Sequence, residues 1–331
     1  MTTLPQPRSP DRGVYRAVVA SNNQLCDEHY CVRLTCERFP EAQPGQFVQL
    51  LCDRVEPNAL ATHVWSPDEW PALTDEATSG PLAFLRRAFS IAELERYGNG
   101  ATISVIHRVV GVGTGWLERL EVGDEVSVLG PLGNRFPIEA RRRRAYLVCG
   151  GVGFPPMIWL ARALHDAGKQ PVCFFGARSS RLIPLTLSPD AVITTDATRG
   201  CAEVAEFAPA KTPVVLSTDD GSVGLKGFVT DALARYAEAN PVAPDELVVY
   251  ACGPEIMMHI TAQWCERNGI LCHVCMERAM ACGMGTCQSC VVPCRDPSQK
   301  TGWRYRLCCT DGPIFDSREV IWNRPQDHER I

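Results

Sequence analysis

Cys282-Gly-Met-Gly-Thr-Cys287-Gln-Ser-Cys290 is the stretch on which the rest of the chain turns. It reads C-x4-C-x2-C, with Cys309 downstream as a fourth thiol. This is the plant-type spacing for a [2Fe–2S] cluster. Three thiolates must converge on two irons, and Gly283 and Gly285 let the loop wrap closely enough to do so. Backbone N–H groups of such a loop can bond the sulfides and tune the potential. Cys308 and Cys294 compete for the fourth position. Adjacent residues of an extended run point apart, so only one of Cys308 and Cys309 should ligate. Cys309 precedes a turn, Thr310-Asp-Gly-Pro313, while Cys308 prolongs the run at 305–307. Cys294 lies only four residues past Cys290. The expected ligands are therefore Cys282, Cys287, Cys290 and Cys309.

Zinc is the main rival. Cys272-x2-Cys275 and Cys287-x2-Cys290 together come near a zinc-ribbon spacing. Residues 270–276 read as a strand, however, and positions three apart on a strand face opposite sides. Cys272 and Cys275 could not then share one ion, and Cys282 and its glycines would be left without a role.

Outside this stretch the composition is that of an ordinary globular protein. Among 331 residues, 45% are hydrophobic and 21% charged. The net charge of -5 argues against a dedicated nucleic-acid binder. The basic run Arg141 to Arg144 reads as a solvated corner between two domains, or as a local attraction for an acidic partner. No run of about 18 apolar residues suggests a membrane span. Residues 1–13 lack the basic start and apolar core of a signal peptide and read as a loose leader on a cytoplasmic chain. Nine of the seventeen cysteines fall between Cys265 and Cys309. The scattered remainder read as buried free thiols.

The first third has a β rhythm. Short runs at 14–20, 30–36, 47–52, 101–108 and 125–129 are separated by turns such as Pro44-Gly45 and Gly123-Asp124. Such punctuation predicts an antiparallel barrel or sandwich. Between Asp53 and Arg86 the pattern breaks into prolines, acidic residues and two tryptophans, Trp65 and Trp70, which read as a surface insertion. From Arg144 strand and helix alternate. Strands are expected at 145–149, 172–176, 191–194, 214–217 and Leu247–Cys252, with helices after Pro155, at Val229–Ala239 and at 254–268. Met157, Leu160, Ala161 and Leu164 give the first helix one apolar face. Alternation of this kind implies a parallel sheet covered on both faces. The fold class is thus multidomain, β plus α/β. A leader at 1–13 precedes a barrel at 14–140 with its insertion at about 53–86. An α/β nucleotide-binding domain follows at 141–269, and a cysteine module at 270–331.

Several short motifs sit at the ends of these elements. Arg87-Ala88-Phe89-Ser90 can grip a pyrophosphate with a guanidinium fork and a hydroxyl. Ile106-His107-Arg108 is followed by Gly111-Val-Gly113-Thr114, a glycine turn opening onto a helix, which presents N–H groups to an anion. His107 is either a flavin contact or a surface-strand histidine. Gly150-Gly151-Val-Gly153 follows a strand and opens a helix. It departs from the full dinucleotide fingerprint, because proline replaces the third glycine and no acidic residue sits cleanly about 20 residues on. Cys252-Gly253-Pro254 ends another strand of the same sheet. Two such turns at strand C-terminal ends make the crevice where an open sheet binds nucleotides.

Taken in order, Arg-x-Phe-Ser, Gly-x-Gly-Thr, Gly-Pro-Leu-Gly (130–133), Gly-Gly-x-Gly-x-x-Pro and Cys-Gly-Pro resemble the ferredoxin–NADP reductase superfamily. The appended cysteine module, with Met280-Ala-Cys-Gly283 and Asp311-Gly-Pro-Ile-Phe315, is similar to that of the electron-transfer subunits of type B dihydroorotate dehydrogenase. The resemblance runs over about 14–320. It implies an FAD-binding antiparallel barrel, an NAD-binding α/β domain and a [2Fe–2S] module. It places Arg87, Ala88, Phe89, Ser90, Ile106, His107, Arg108, Gly113 and Thr114 on FAD, and the four named cysteines on the cluster. Ala88 stands where the family usually has proline, His107 where tyrosine is common, and Cys149 where a further glycine is usual.

The cofactor order follows from electron counting. NADH yields two electrons as hydride and an iron–sulfur cluster takes one, so the flavin must lie between them. No side chain need act as a nucleophile. The resemblance implies an FMN-containing dihydroorotate dehydrogenase catalytic subunit as partner, in a heterotetramer of two copies of each. Electrons would pass from dihydroorotate to that FMN, then through the cluster and FAD to NAD, in pyrimidine biosynthesis. An NAD(P)H:ferredoxin-type oxidoreductase, or the diaphorase subunit of a hydrogenase or sulfite reductase, has the same layout with another partner. A zinc-ribbon regulatory or scaffold protein is the alternative from a different class.

Overall fold

The computed structural model describes residues 12–53 and 85–322. The leader and nearly all of the expected insertion, Trp65 and Trp70 included, lie outside the described residues.

The first sheet contains β1 (Gly13–Cys26), β2 (His29–Cys36), β3 (Phe47–Leu50), β4 (Arg87–Ser90), β5 (Glu93–Tyr97), β6 (Gly100–Arg108) and, after helix α1 (Val112–Glu118), β7 (Glu125–Leu132). These seven strands run β4-β3-β7-β1-β2-β6-β5, every pair antiparallel. Alternate residues point inward, as the period of a strand dictates. Val32, Leu34 and Cys36 on β2 meet Ala101, Ile103 and Val105 on β6 in one core. The sheet curls until its two edge strands are consecutive in the chain. Ile91 and Ala92 make that step, their N–H groups donating to the carbonyls of Gln46, just before β3, and Ser104 on β6, next to the two edge strands. The expected barrel is therefore a curled sheet joined by a two-residue link.

The second sheet is the parallel one. Its elements are β8 (Arg144–Gly150), α2 (Pro155–Asp166), β9 (Gln170–Ala177), β10 (Val214–Thr218), β11 (Leu225–Lys226), α3 (Val229–Ala239), β12 (Leu247–Cys252), α4 (Glu255–Arg267) and β13 (Leu271–Cys275). The cysteine module supplies β14 (Val291–Arg295), β15 (Trp303–Leu307) and β16 (Ile314–Asp316). The order is β11-β10-β9-β8-β12-β13-β16, with only β16 antiparallel. Helix α2 buries Met157, Leu160, Ala161 and Leu164 on one side of the sheet. Helices α3 and α4 bury Leu233, Met258 and Cys265 on the other. Each large apolar side chain so removed from water contributes about 2 kcal/mol.

The strand expected at 191–194 does not form. The edge of β9 is taken by Val214–Thr218 instead, and Val192 is 59% exposed. An extended segment with no sheet edge to join keeps its backbone groups in water. Strand β5 was not foreseen because Glu93, Glu95 and Arg96 hide its period. Charged edge strands of this kind discourage pairing with other chains. Among the described residues no helix is long and apolar enough to cross a membrane.

Candidate cofactor and electron-transfer site

The cysteine loop is organised by its own backbone. The N–H groups of Met284 and Cys287 both donate to Cys282 Sγ at 3.4 Å, and the Cys309 N–H donates to Cys290 Sγ at 3.4 Å. The side chains form two pairs, Cys282 with Cys287 and Cys290 with Cys309. Among the described residues no three His, Cys, Asp or Glu side chains gather about one point. A mononuclear ion needs such a gathering, whereas a two-iron centre takes two thiolates on each iron and supplies its own bridging sulfides. The two-plus-two arrangement fits the latter. Cys287 is exposed, and the Ser289 hydroxyl at 3.2 Å, with Cys282 and a backbone N–H, draws its thiol down to about 6. Burial, then Cys290 beside it, pushes Cys309 up to about 12.

The competitors for these positions are turned elsewhere. Cys308 Sγ donates to the Met276 carbonyl at 3.0 Å. Cys294 is buried in the core under β14. Cys272 pairs with Cys265 on one face of the parallel sheet and Cys275 with Cys252 on the other. No zinc ribbon can use both.

The residues expected on FAD and on NAD all line one cavity of about 1150 Å³ between the curled sheet and the C-terminal ends of the parallel strands. At one end Arg87, Ala88, Phe89 and Ser90 on β4 meet Ile106, His107 and Arg108 on β6. The Arg87 stem lies over Gly113, where a Cβ would come within 3.1 Å of Arg87 Cγ. The Thr114 hydroxyl accepts from the N–H groups of Val110 and Gly111 and so shapes the turn that opens α1. His107 is 2% exposed, stacked on Tyr30 and edge-on to Phe89, and neither ring nitrogen has a partner among the described residues. Burial lowers it to about 4. The surface-strand alternative for this histidine is thereby ruled out, and a buried imidazole facing a cavity is a ready partner for a polar ligand.

At the other end Gly150, Gly151 and Gly153 face Cys252, Gly253 and Pro254. The chain order reverses between β8 and β12, which is the switch point where open sheets bind nucleotides. The two turns interlock so closely that a Cβ on Gly153 would lie 2.1 Å from the Cys252 carbonyl oxygen. The residues at 276–280, which lead into the cysteine loop, close the cavity's third side. Their place on the cavity was not foreseen from the sequence, nor was that of Asp219, directly after β10, which also lines it. The signal for Asp219 was the turn Thr218-Asp-Asp-Gly221 after an apolar run, far outside the spacing of the usual fingerprint.

Residues 277–321 match the model of the iron–sulfur cluster binding domain of dihydroorotate dehydrogenase B, and residues 147–263 match the oxidoreductase NAD-binding domain. The electron transfer subunit of dihydroorotate dehydrogenase B (NAD(+)) from Bacillus caldolyticus is 33% identical over 312 residues, 93% of this chain and 99% of that one. The same subunit from Geobacillus sp. (strain WCH70) is 34% identical over 74% of this chain and 84% of its own length. The chain belongs to the family of dihydroorotate dehydrogenase B electron transfer subunits. A solved NADH-dependent reduced ferredoxin–NADP oxidoreductase, described for flavin-based electron bifurcation, superposes on this family member with a TM-score of 0.67. It is 25% identical, and the match covers 92% of this chain and 90% of that one. Phthalate dioxygenase reductase shares the fold, with a TM-score of 0.52 at 17% identity and coverage of 85% and 87%.

Proposed function

We propose that this chain relays electrons between the FMN of a dihydroorotate dehydrogenase catalytic subunit and NAD, through an FAD and a [2Fe–2S] cluster that it carries, in pyrimidine biosynthesis. The observation that carries the reading is the cavity itself. It joins the β4–β6 motifs to the glycine turns of the parallel sheet, and the segment that closes it leads directly into the cysteine loop. A flavin held there would supply the chemistry that links two-electron hydride exchange to one-electron transfer.

The chain's own residues hold and separate these groups. Arg87 to Ser90, Ile106 to Arg108, Gly113 and Thr114 seat the FAD. Gly150, Gly151, Gly153, Cys252, Gly253 and Pro254 let the nicotinamide nucleotide approach the backbone. Cys282, Cys287, Cys290 and Cys309 hold the irons. In this division residues 14–140 are the flavin domain, 141–269 the nucleotide domain and 270–331 the cluster module. The functional particle is a cytoplasmic heterotetramer of two copies of each subunit.

The test is purification without oxygen, followed by iron, sulfide, zinc and flavin analysis. Iron and sulfide should appear in equal amounts, with flavin at half that level and no zinc. The purified chain should oxidise NADH with an artificial acceptor, and dihydroorotate only when an FMN protein is added. Dihydroorotate oxidation by the chain alone would overturn the assignment. The likeness to a ferredoxin–NADP oxidoreductase favours one second reading, in which a ferredoxin-type protein is the partner. Co-purification with an FMN protein decides between the two.

A further inference from the structure

Gln49 lies on β3, fully buried, and neither its Oε1 nor its Nε2 has a hydrogen-bond partner among the described residues. An unpaired amide in a protein interior is costly, and buried polar groups nearly always find partners. The residues flanking Gln49 on β3 point to the other face. Val48 and Leu50 enter the core of the curled sheet. Phe47 lines the flavin cavity, and so does Ala88, which sits opposite Gln49 on β4, but Gln49 does not. Its amide meets the cysteine loop instead. A Cβ on Gly283 would lie 2.8 Å from Gln49 Cδ and Oε1 and 3.0 Å from Nε2. Gly283 is buried with φ +70°, a conformation that leaves its inner face free of side chain. The loop's far side, from Thr286 to Ser289, is exposed. The loop therefore has a wet face and a dry face, and on the dry face Gln49 packs an amide without a partner among the described residues against Gly283.

We propose that Gln49 Nε2 donates a hydrogen bond to a sulfur of the [2Fe–2S] centre and thereby raises its midpoint potential. The proposal rests on the reading of this loop as the cluster site. N–H···S bonds stabilise the reduced cluster, which carries the extra negative charge, more than the oxidised one. A donor on the strand beside the flavin wall sets the driving force for the flavin–cluster step from the flavin side. It leaves the exposed face of the loop to a partner.

The test uses the loaded protein and Gln49→Met, which keeps the length of the side chain and removes the donor. Potentiometric titration followed by EPR should show the cluster midpoint moved to a more negative value, with the flavin midpoint and the iron and flavin contents unchanged. A loaded Gln49→Met protein with the original cluster potential overturns the proposal, and so does a shift confined to the flavin. A second measurement needs no change at position 49. Glutamine side-chain ¹⁵N is introduced into a Gln288→Asn background, which removes the glutamine of the cysteine loop itself. Hyperfine coupling of that nitrogen to the reduced cluster is expected, and its absence overturns the proposal even where Gln49→Met loses the cluster. A protein without iron and sulfide in any background would instead overturn the cluster reading beneath it.

Discussion

His107 is a neutral imidazole in a dry place, and that has a consequence for acid stability. Burial holds it down to about 4, against an ordinary value of 6.5 in the unfolded chain. As pH falls below 6.5 the unfolded state takes up the proton first, so stability is lost down to about 4, at up to roughly 1.4 kcal/mol per pH unit. His29 and His273 are lowered by burial as well and add to the same acid limb. His107→Phe should make the denaturation midpoint less steep in pH across that window; an unaltered slope would contradict the burial argument. The thiols allow a second residue-level prediction. Serine at Cys282, Cys287, Cys290 or Cys309 should abolish the two-iron EPR signal and the matching iron content. Cys308→Ser should keep both, because the Cys308 thiol is spent on the Met276 carbonyl. Loss of iron in Cys308→Ser with retention in Cys309→Ser would reverse the assignment.

At the level of elements, two junctions matter most. The turns after β8 and β12 touch through Gly153, where any side chain would strike the Cys252 backbone. Gly153→Ala must therefore push the turns apart. It should cost about 1–3 kcal/mol of stability by overpacking and weaken NAD binding measured by titration, while flavin content stays near that of the parent. The other junction is Asn134, at the end of the Gly130-Pro-Leu-Gly133 motif. Its Nδ2 donates to the carbonyls of Asp311 and Ile314 at 3.0 and 2.8 Å, and its Oδ1 accepts from the Ile314 N–H at 2.9 Å. This side chain clamps the cluster module to the curled sheet, while β16 adds the module to the parallel sheet through β13. Asn134→Ala removes three hydrogen bonds of about 1 kcal/mol each. Faster hydrogen exchange in β16 than in β12 is the expected readout.

For the whole molecule, the cysteine loop lies between the curled sheet and the surface. Its Gly283 face is buried against β3, and residues 286–289 are exposed. The loop thus packs on protein on its inward side and meets solvent on its outward side. If the exposed face is where the FMN subunit docks, Thr286→Glu or Gln288→Glu, which add charge there, should slow dihydroorotate oxidation by the assembled complex. NADH oxidation with a small artificial acceptor should be left at the parental rate. Native mass measurement on the assembled complex should give two copies of each subunit.

What the sequence alone determined is the local chemistry. The C-x4-C-x2-C loop, the glycine turns at strand ends and the 3.6-residue period of α2 are written within a few residues of one another, because loop wrapping, turn conformation and helix amphipathicity are short-range effects. They sufficed to name residues at two ends of the cavity, though not its third side or Asp219, and to prefer Cys309 over Cys308. Long-range packing decided the rest. Residues 191–194 lost their place as a strand because the edge of β9 was already filled by a segment twenty residues further on. Asn134 and Gln49 look unremarkable in a polar count, and they matter only because the fold brings Ile314 and Gly283 against them. No periodicity encodes such meetings, since the contact energy belongs to pairs of groups that only the closed tertiary structure places within reach.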